Sequence, residues 1–331
     1  MKKSLLVALV VLLIVNGLFA TGTKEKSDEI LIGVSKFLAH PALDAVEKGM
    51  EDYLASVGKV VRYDFQNANG EGSATSQIAQ KFKSDKVDVA VGIATPTAQA
   101  LAMVLTDTPV VFSAVTDPLS ADLVPSYETG YSDKIAGVSD MSPVEAQIAL
   151  LAELTGAKVI GNVYASGEAN GVALMEEAKE ATEALGLSFV ASAVANTAEV
   201  KSATQAIMNR VDALYVATDN TVVSALPSID EVTTKASVPF MVSDPSNVDG
   251  TNFLIAWGFD YYKIGLATGK VVEQILDGKK AGDIGTIFLT DPTDFELWVN
   301  LDQAKKLNIN ISNDLLDSAS VLIENGKKVV K

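Results

Sequence analysis

Cysteine is absent from this sequence of 331 residues, and histidine occurs once, as His40. Without cysteine there can be no disulfide framework, no thiolate zinc site and no cysteine nucleophile. No serine lies in a Gly-x-Ser-x-Gly elbow, so a serine–histidine hydrolase finds little support. An exported hydrolase that acts through His40 is the enzymatic alternative. We expect instead no enzymatic activity, no cofactor and no bound metal.

Basic residues are scarce. Lysine and arginine number 26 against 42 aspartates and glutamates, which gives a formal net charge of −16. Nucleic-acid binding needs clustered basic side chains to neutralise phosphates, so we expect no nucleic-acid partner. The two arginines, Arg62 and Arg210, lie outside the polar clusters described below. A ligand carboxylate would therefore not be held by a guanidinium group.

The chain has one long apolar run, Leu5–Val15, preceded by Lys2 and Lys3 and followed by the small residue Ala20. The run is short for a membrane-spanning helix, and its flanks are typical of a signal peptide. We predict a signal peptide over residues 1–20 and a polar linker over residues 21–29. The protein is then exported, to a periplasmic or other extracytoplasmic location. An uncleaved N-terminal anchor is the alternative, and the lack of cysteine argues against a lipoprotein.

Two stretches of the chain have the same pattern. Val87–Leu101, VDVAVGIATPTAQAL, predicts a buried strand that ends in a threonine-rich turn and a helix. Val211–Leu226, VDALYVATDNTVVSAL, repeats that pattern 124 residues later. This spacing is too long for a solenoid repeat, so it indicates two similar α/β domains. We expect Thr95 to cap the first of these helices and a single helix near Val222–Lys235 to follow the second strand.

The fold class is predicted to be α/β, with two doubly wound parallel-sheet domains joined by a multi-strand hinge. Residues 30–140 and 259–285 are assigned to an N-terminal lobe, and residues 141–258 and 286–331 to a C-terminal lobe. Crossovers between the lobes are expected near residues 137–140, 257–260 and 284–287. The sequence Ser142-Pro143-Val144-Glu145 predicts a helix start with a capping box and proline at its first position.

Polar and aromatic clusters follow the predicted strands of both lobes. In an open α/β sheet, ligands bind outside the carboxyl ends of the strands. The same residue types are also common as helix caps and turns, which is the alternative interpretation of each cluster. The candidate ligand-binding residues are Phe37, His40, Thr95, Pro96, Thr97, Thr116, Asp117, Tyr164, Ser166, Asn170, Asp219, Asn220, Thr221 and Asp244.

The two ends of a zwitterionic ligand would bind different groups. The helix N-terminus at Pro96, with the hydroxyls of Thr95 and Thr97, could hold a carboxylate. A ligand ammonium group would pair with one of the aspartates, namely Asp117, Asp219 or Asp244.

Seven segments of the sequence resemble one family. They are FLAHPALD (37–44), VGIATPTAQ (91–99), TDP (116–118), GVSD (137–140), YASGEAN (164–170), DNT (219–221) and GFDYYKIGLATGKVVEQILDGKKAGDI (258–284). Together they look like the ABC transporter substrate-binding proteins, in the branch that includes tryptophan and phenylalanine binders. The resemblance covers nearly the whole chain after the predicted signal peptide.

The resemblance implies a type I periplasmic-binding fold that closes on a small molecule and docks on an ABC permease in the membrane. It also implies ligand contacts from the threonines, aspartates and asparagines of these motifs. An aromatic amino acid is the expected ligand, with another amino acid or a nucleoside-like or other small polar solute as alternatives. A receptor that presents its closed form to a membrane signalling protein is the alternative to an importer component.

Overall fold

The computed structural model describes residues 29–130 and 134–331. The predicted signal peptide and all but the last residue of the predicted linker lie outside the described residues. Within the described ranges, no helix has both the length and the apolar character needed to cross a membrane.

The first lobe is built on a six-stranded sheet in the order β11-β5-β4-β3-β1-β2. The strand pairs from β11 to β1 are parallel, as the alternation of strands and helices predicts. The elements of this lobe are β1 (Ile30–Lys36), α1 (Pro41–Ser56), β2 (Val61–Asn67), α2 (Gly72–Asp85), β3 (Val89–Ile93), α3 (Thr95–Val104), β4 (Val110–Ser113), β5 (Ile135–Ser139), α9 (Tyr261–Leu276) and β11 (Thr286–Phe288).

The second lobe has an eight-stranded sheet in the order β14-β13-β12-β10-β9-β8-β6-β7. Its pairs from β7 to β10 are parallel, whereas β12 joins β10 antiparallel and β13–β14 is an antiparallel hairpin. Its elements are α4 (Val144–Thr155), β6 (Val159–Ala165), α5 (Ala169–Ala184), β7 (Ser188–Val194), α6 (Val200–Ile207), β8 (Ala213–Val216), α7 (Asn220–Val223), α8 (Leu226–Ala236), β9 (Phe240–Val242), β10 (Ile255–Phe259), β12 (Phe295–Asn300), α10 (Leu301–Lys306), α11 (Asn313–Ser318), β13 (Val321–Glu324) and β14 (Lys327–Val330).

These two sheets confirm the predicted α/β class with two parallel-sheet lobes. One predicted boundary is wrong. Residues 286–288 were assigned to the second lobe, but they form β11, which pairs with β5 of the first sheet. The third crossover therefore lies after Phe288 rather than at residues 284–287. A three-residue strand carries too little periodicity to be placed from sequence.

The chain crosses between the lobes three times, after β5, after β10 and between β11 and β12. The second and third crossovers are bound to each other, because the Asp260 N–H donates to the Asp294 carbonyl over 2.8 Å. The rings of Phe259 and Phe295 also contact there, with centroids 4.3 Å apart. A hinge of several neighbouring strands allows the lobes to rotate through small changes in backbone angles.

Helix α9 follows the second crossover and packs against α1 of the first lobe. The two helices meet at a pair of glycines. A Cβ atom on Gly49 would lie 2.3 Å from the Tyr262 carbonyl oxygen, and one on Gly265 would lie 2.3 Å from the Val46 carbonyl oxygen. Neither position can carry a larger side chain unless the helix backbones separate.

Three local predictions about helices are wrong. Thr95 lies inside α3, where Ala94 is the cap residue and makes no side-chain hydrogen bond. Helix α4 begins after Pro143 and has no side-chain cap, so the predicted capping box is absent. The helix predicted near residues 222–235 is broken into α7 and α8, because Pro227 lies in the first turn of α8.

Candidate functional site

A small cavity lies between the lobes, where the carboxyl ends of strands from both sheets meet. The first lobe contributes His40, Leu43, Ala114 and Thr116 to its wall. The crossovers contribute Asp140 and Tyr261. The second lobe contributes the remaining lining residues, which are Asn170, Thr218, Asp219, Asn220, Val223 and Asp244.

The cavity is almost closed. Its volume is about 10 Å³, close to the smallest space that holds one water molecule. Contact across it is direct, since His40 Nε2 lies 3.4 Å from Asn220 Oδ1 of the other lobe. A ligand the size of an amino acid can therefore enter only when the lobes separate.

The second-lobe wall is held by two buried carboxylates. Asp219 accepts hydrogen bonds from the N–H groups of Val222 at 3.0 Å and Ala165 at 2.6 Å. Glu168 accepts from the Thr221 N–H and hydroxyl and, at 2.6 Å, from Asn220 Nδ2. These bonds fix the turn that leads from β8 into α7. Burial raises the pKa of Asp219, and the neighbouring Glu168 adds to the rise.

Asp140 lies where the first crossover reaches the cavity. Its carboxylate accepts hydrogen bonds from two hydroxyl groups, those of Tyr261 at 2.8 Å and Thr116 at 3.2 Å. The Tyr261 bond joins the first crossover to the second. Burial raises the pKa of Asp140 to about 6, with a further contribution from the nearby charge of Asp244.

Asp244 is also buried, at the end of β9. One of its oxygens accepts from the Ser246 N–H at 2.8 Å. Burial raises the pKa of Asp244, and His40 opposes this rise. The residues that line the cavity include three carboxylates and one histidine but no lysine or arginine.

Several polar atoms in the cavity wall have no hydrogen-bond partner. Among the described residues, His40 Nδ1, Asn170 Oδ1 and Thr218 Oγ1 are buried, unpaired and part of this wall. Buried polar groups are normally paired, so an unpaired set in one cavity indicates a place where a polar ligand binds. Ala94 and Ala114, at the ends of β3 and β4, have φ angles of 81° and 51°. Such strained backbone is frequent at binding sites.

The cavity brings together six of the predicted site residues from both lobes: His40, Thr116, Asn170, Asp219, Asn220 and Asp244. The other eight do not line it. Of these, Phe37, Thr95 and Thr97 are buried, and the Thr97 hydroxyl donates to the carbonyls of Ile93 and Ala94 at the start of α3. Pro96, Asp117 and Tyr164 are half-buried, the Ser166 side chain is exposed, and Thr221 is bonded to Glu168.

Asp140, Tyr261, Thr218 and Glu168 were missed as site residues. Three of them stand inside segments that resemble the family, namely GVSD, GFDYYKIG and YASGEAN. Asp140 was interpreted as part of a crossover, which is correct, but the crossover itself forms the floor of the cavity. Thr218 directly precedes the predicted cluster at residues 219–221.

No group of three or more histidine, aspartate or glutamate side chains in the described part of the chain is arranged to hold a metal ion. The arrangement is suited to binding rather than to catalysis. It offers buried anionic and hydrogen-bonding groups to a small polar molecule, between two bodies that can move apart.

Comparisons with known proteins agree with this geometry. A tyrosine-binding protein from Clostridioides difficile strain R20291 is 32% identical over 302 residues, which cover 89% of this chain and 86% of that protein. The structure of an ABC domain in complex with L-Trp from Streptococcus pneumonia is 33% identical, with a TM-score of 0.84, and covers 89% of this chain and 100% of that one.

A third relative has a solved structure in an open conformation. A ligand-free, open structure of a substrate binding protein with adhesive properties from Clostridium difficile is 31% identical and covers 86% of this chain and 97% of that one. Its TM-score is only 0.65, against 0.84 for the complex with L-Trp. In the structure described here the lobes are closed on each other, as the small cavity and the 3.4 Å contact between His40 and Asn220 show.

A family model described as ABC transporter substrate binding protein matches residues 31–323, which is nearly the whole described chain. The predicted family and the two-lobed fold are thereby confirmed. Because the members of this family bind solutes and do not catalyse reactions, the expectation that the chain is not an enzyme is also confirmed. The chain belongs to the family of ABC transporter substrate binding proteins.

Proposed function

We propose that this protein is the extracytoplasmic receptor of an ABC importer and that it closes its two lobes on an aromatic amino acid. The observation that carries the proposal is the acid-lined cavity between the lobes, with its three unpaired polar atoms. A zwitterion supplies a cationic donor for the carboxylates and for Asn170 Oδ1, and an acceptor for the Thr218 hydroxyl. The tyrosine and tryptophan that the relatives bind support the aromatic class.

A thermal unfolding series against the twenty L-amino acids tests the ligand class. At a hundredfold excess over Kd, a ligand that binds only the folded chain stabilises it by about 2.7 kcal/mol. For a protein of this size we expect a rise of several degrees in Tm with tyrosine, tryptophan or phenylalanine. The D-enantiomers are the matched controls, and we expect them to have little effect.

A rise in Tm with nucleosides and none with any amino acid would contradict the proposed ligand class. A rise with a non-aromatic amino acid alone would retain the receptor function and replace the aromatic assignment.

Identification of the first residue of the mature protein, purified from its own cells, tests whether the signal peptide is removed on export. Substrate-binding proteins of ABC transporters act outside the cytoplasm, and Leu5–Val15 has the length and flanks of a signal peptide. We expect mass spectrometry of the mature chain to find Thr21 as its first residue. An intact N-terminus on a membrane-associated chain would instead favour the uncleaved anchor.

A further inference from the structure

We propose that Asp140 and Asp244 together hold the ammonium group of the ligand, so that this cleft requires a cationic amine before it selects a side chain. The proposal rests on the proposed function and adds to it the group by which the ligand is recognised. The sequence indicates Asp219 as one of the aspartates that could pair with the ligand ammonium group. It does not indicate Asp140.

The hydrogen bonds of the three aspartates separate their roles. Both oxygens of Asp219 already accept backbone N–H groups of their own lobe. A Cβ atom on Gly171 would lie only 2.4 Å from Asp219 Oδ2, so this carboxylate is also packed from one side. Asp219 therefore shapes the wall, and its oxygens are less available to a ligand.

Asp140 and Asp244 are available. Asp140 is held by two neutral hydroxyls, which orient it without neutralising its charge. Asp244 has a hydrogen bond to one oxygen only. Each is at most 4% exposed. The charge of Asp244 raises the pKa of Asp140, and both carboxylates raise the pKa of Tyr261. Two buried like charges are costly unless a cation neutralises them.

The cavity wall contains no lysine or arginine that could supply this cation. Lys36, the buried lysine at the end of β1, is already paired with Asp44 at 2.5 Å and Glu47 at 3.2 Å. The missing cation is thus expected to come from the ligand. An ammonium group has three donors, which can bond two carboxylates at once.

The position of the pair links recognition to closure. Asp244 belongs to the second lobe, whereas Asp140 lies on the crossover and is bonded to Thr116 of the first. A cation bound by both is held by both lobes, and it also contacts the hinge through the Asp140–Tyr261 hydrogen bond. A ligand without the ammonium group would leave both carboxylates buried in the closed cavity without a cation.

The proposal predicts a pH dependence. The groups that face Asp140 across the cavity are Asp244, His40, Asp219 and Tyr261. An ammonium binds the ionised carboxylate, and burial raises the pKa of Asp140 to about 6 in the closed structure. Affinity is therefore expected to fall as the pH drops below about 6. Calorimetric titration with L-tyrosine at pH 7.5 and pH 5 measures this difference.

The decisive experiment compares three ligands on the purified chain by calorimetric titration. L-Tyrosine is the reference, tyramine lacks the carboxylate, and 3-(4-hydroxyphenyl)propionate lacks the ammonium group. We expect the propionate to bind at least 100-fold more weakly than tyrosine and at least tenfold more weakly than tyramine. The same comparison with tryptophan, tryptamine and indole-3-propionate covers the other aromatic side chain.

Variants test the two residues. Asp140→Asn and Asp244→Asn keep the shape of each side chain but replace one accepting oxygen with an NH2 group and remove the charge. Each is expected to weaken L-tyrosine binding at least 30-fold. Because the change removes a buried charge, the free variants should melt at or above the Tm of the unchanged protein. Asp107→Asn, at a side chain that is 98% exposed, is the control and should leave both quantities unchanged.

The outcomes are distinguishable. If no aromatic amino acid binds, the proposed function fails and this proposal fails with it. If tyrosine binds but the propionate binds as tightly as tyramine, only the ammonium assignment is overturned. Undiminished tyrosine affinity in both Asn variants would also overturn it.

Discussion

Asp219→Ala is expected to lower the free energy of unfolding by about 3 kcal/mol. The substitution removes the N-cap of α7, where Oδ1 accepts the Val222 N–H, a loss of roughly 1 kcal/mol. It also leaves the Ala165 N–H buried without a partner, which costs about 1–3 kcal/mol more. Denaturant unfolding followed by circular dichroism measures the difference.

The control for this prediction is Ser312→Ala. Ser312 caps the surface helix α11 by accepting a hydrogen bond from the Leu315 N–H. The substitution therefore removes a helix cap but leaves no buried N–H group without a partner. We expect a cost of at most about 1 kcal/mol. Equal effects of the two substitutions would contradict the assignment of Asp219 as the group that holds the cavity wall.

Gly49→Ala is expected to destabilise the protein by about 3 kcal/mol. Its Cβ atom would lie 2.3 Å from the Tyr262 carbonyl oxygen and 3.0 Å from the Gly265 Cα atom. These are backbone atoms of α9, which cannot move aside without separating the two helices. Overpacking of this kind costs about 1–3 kcal/mol and more where the neighbours are rigid, which outweighs the better helix propensity of alanine.

Gly72→Ala is the matched control, since it also lies in a helix but has no atom within 4 Å of the added Cβ. We expect it to change stability by no more than about 0.5 kcal/mol. If Gly49→Ala were equally harmless in thermal unfolding, α1 and α9 would not be in the close contact described.

Much of the fold follows from the sequence because each lobe repeats one simple pattern. The strand–turn–helix patterns predicted within Val87–Leu101 and Val211–Leu226 are observed as β3 with α3 and as β8 with α7, since apolar periodicity defines them locally. The mixed parallel and antiparallel edge formed by β12, β13 and β14 and the three-residue strand β11 were not predicted. Their positions depend on pairing with distant strands, which leaves no local signal.

The candidate site was predicted in part for a similar reason. His40 and Asp219 stand out as polar residues at strand ends, and the cavity contains both. The sequence marks Asp140 only as part of a crossover. Its place in the site depends on the fold, which brings it to hydrogen-bond distance of Tyr261 and into the same cavity as Asp244, both far away in the chain.

Closure of the lobes on an amino acid is the central claim, and the absence of cysteine allows it to be measured by pulsed electron paramagnetic resonance. Spin labels at Met103→Cys on α3 and Glu180→Cys on α5 lie at exposed positions on helices that face each other across the cleft. We predict that saturating L-tyrosine or L-tryptophan shortens and narrows the distance distribution between the labels. An unchanged distribution with tyrosine, tryptophan and phenylalanine would contradict the account.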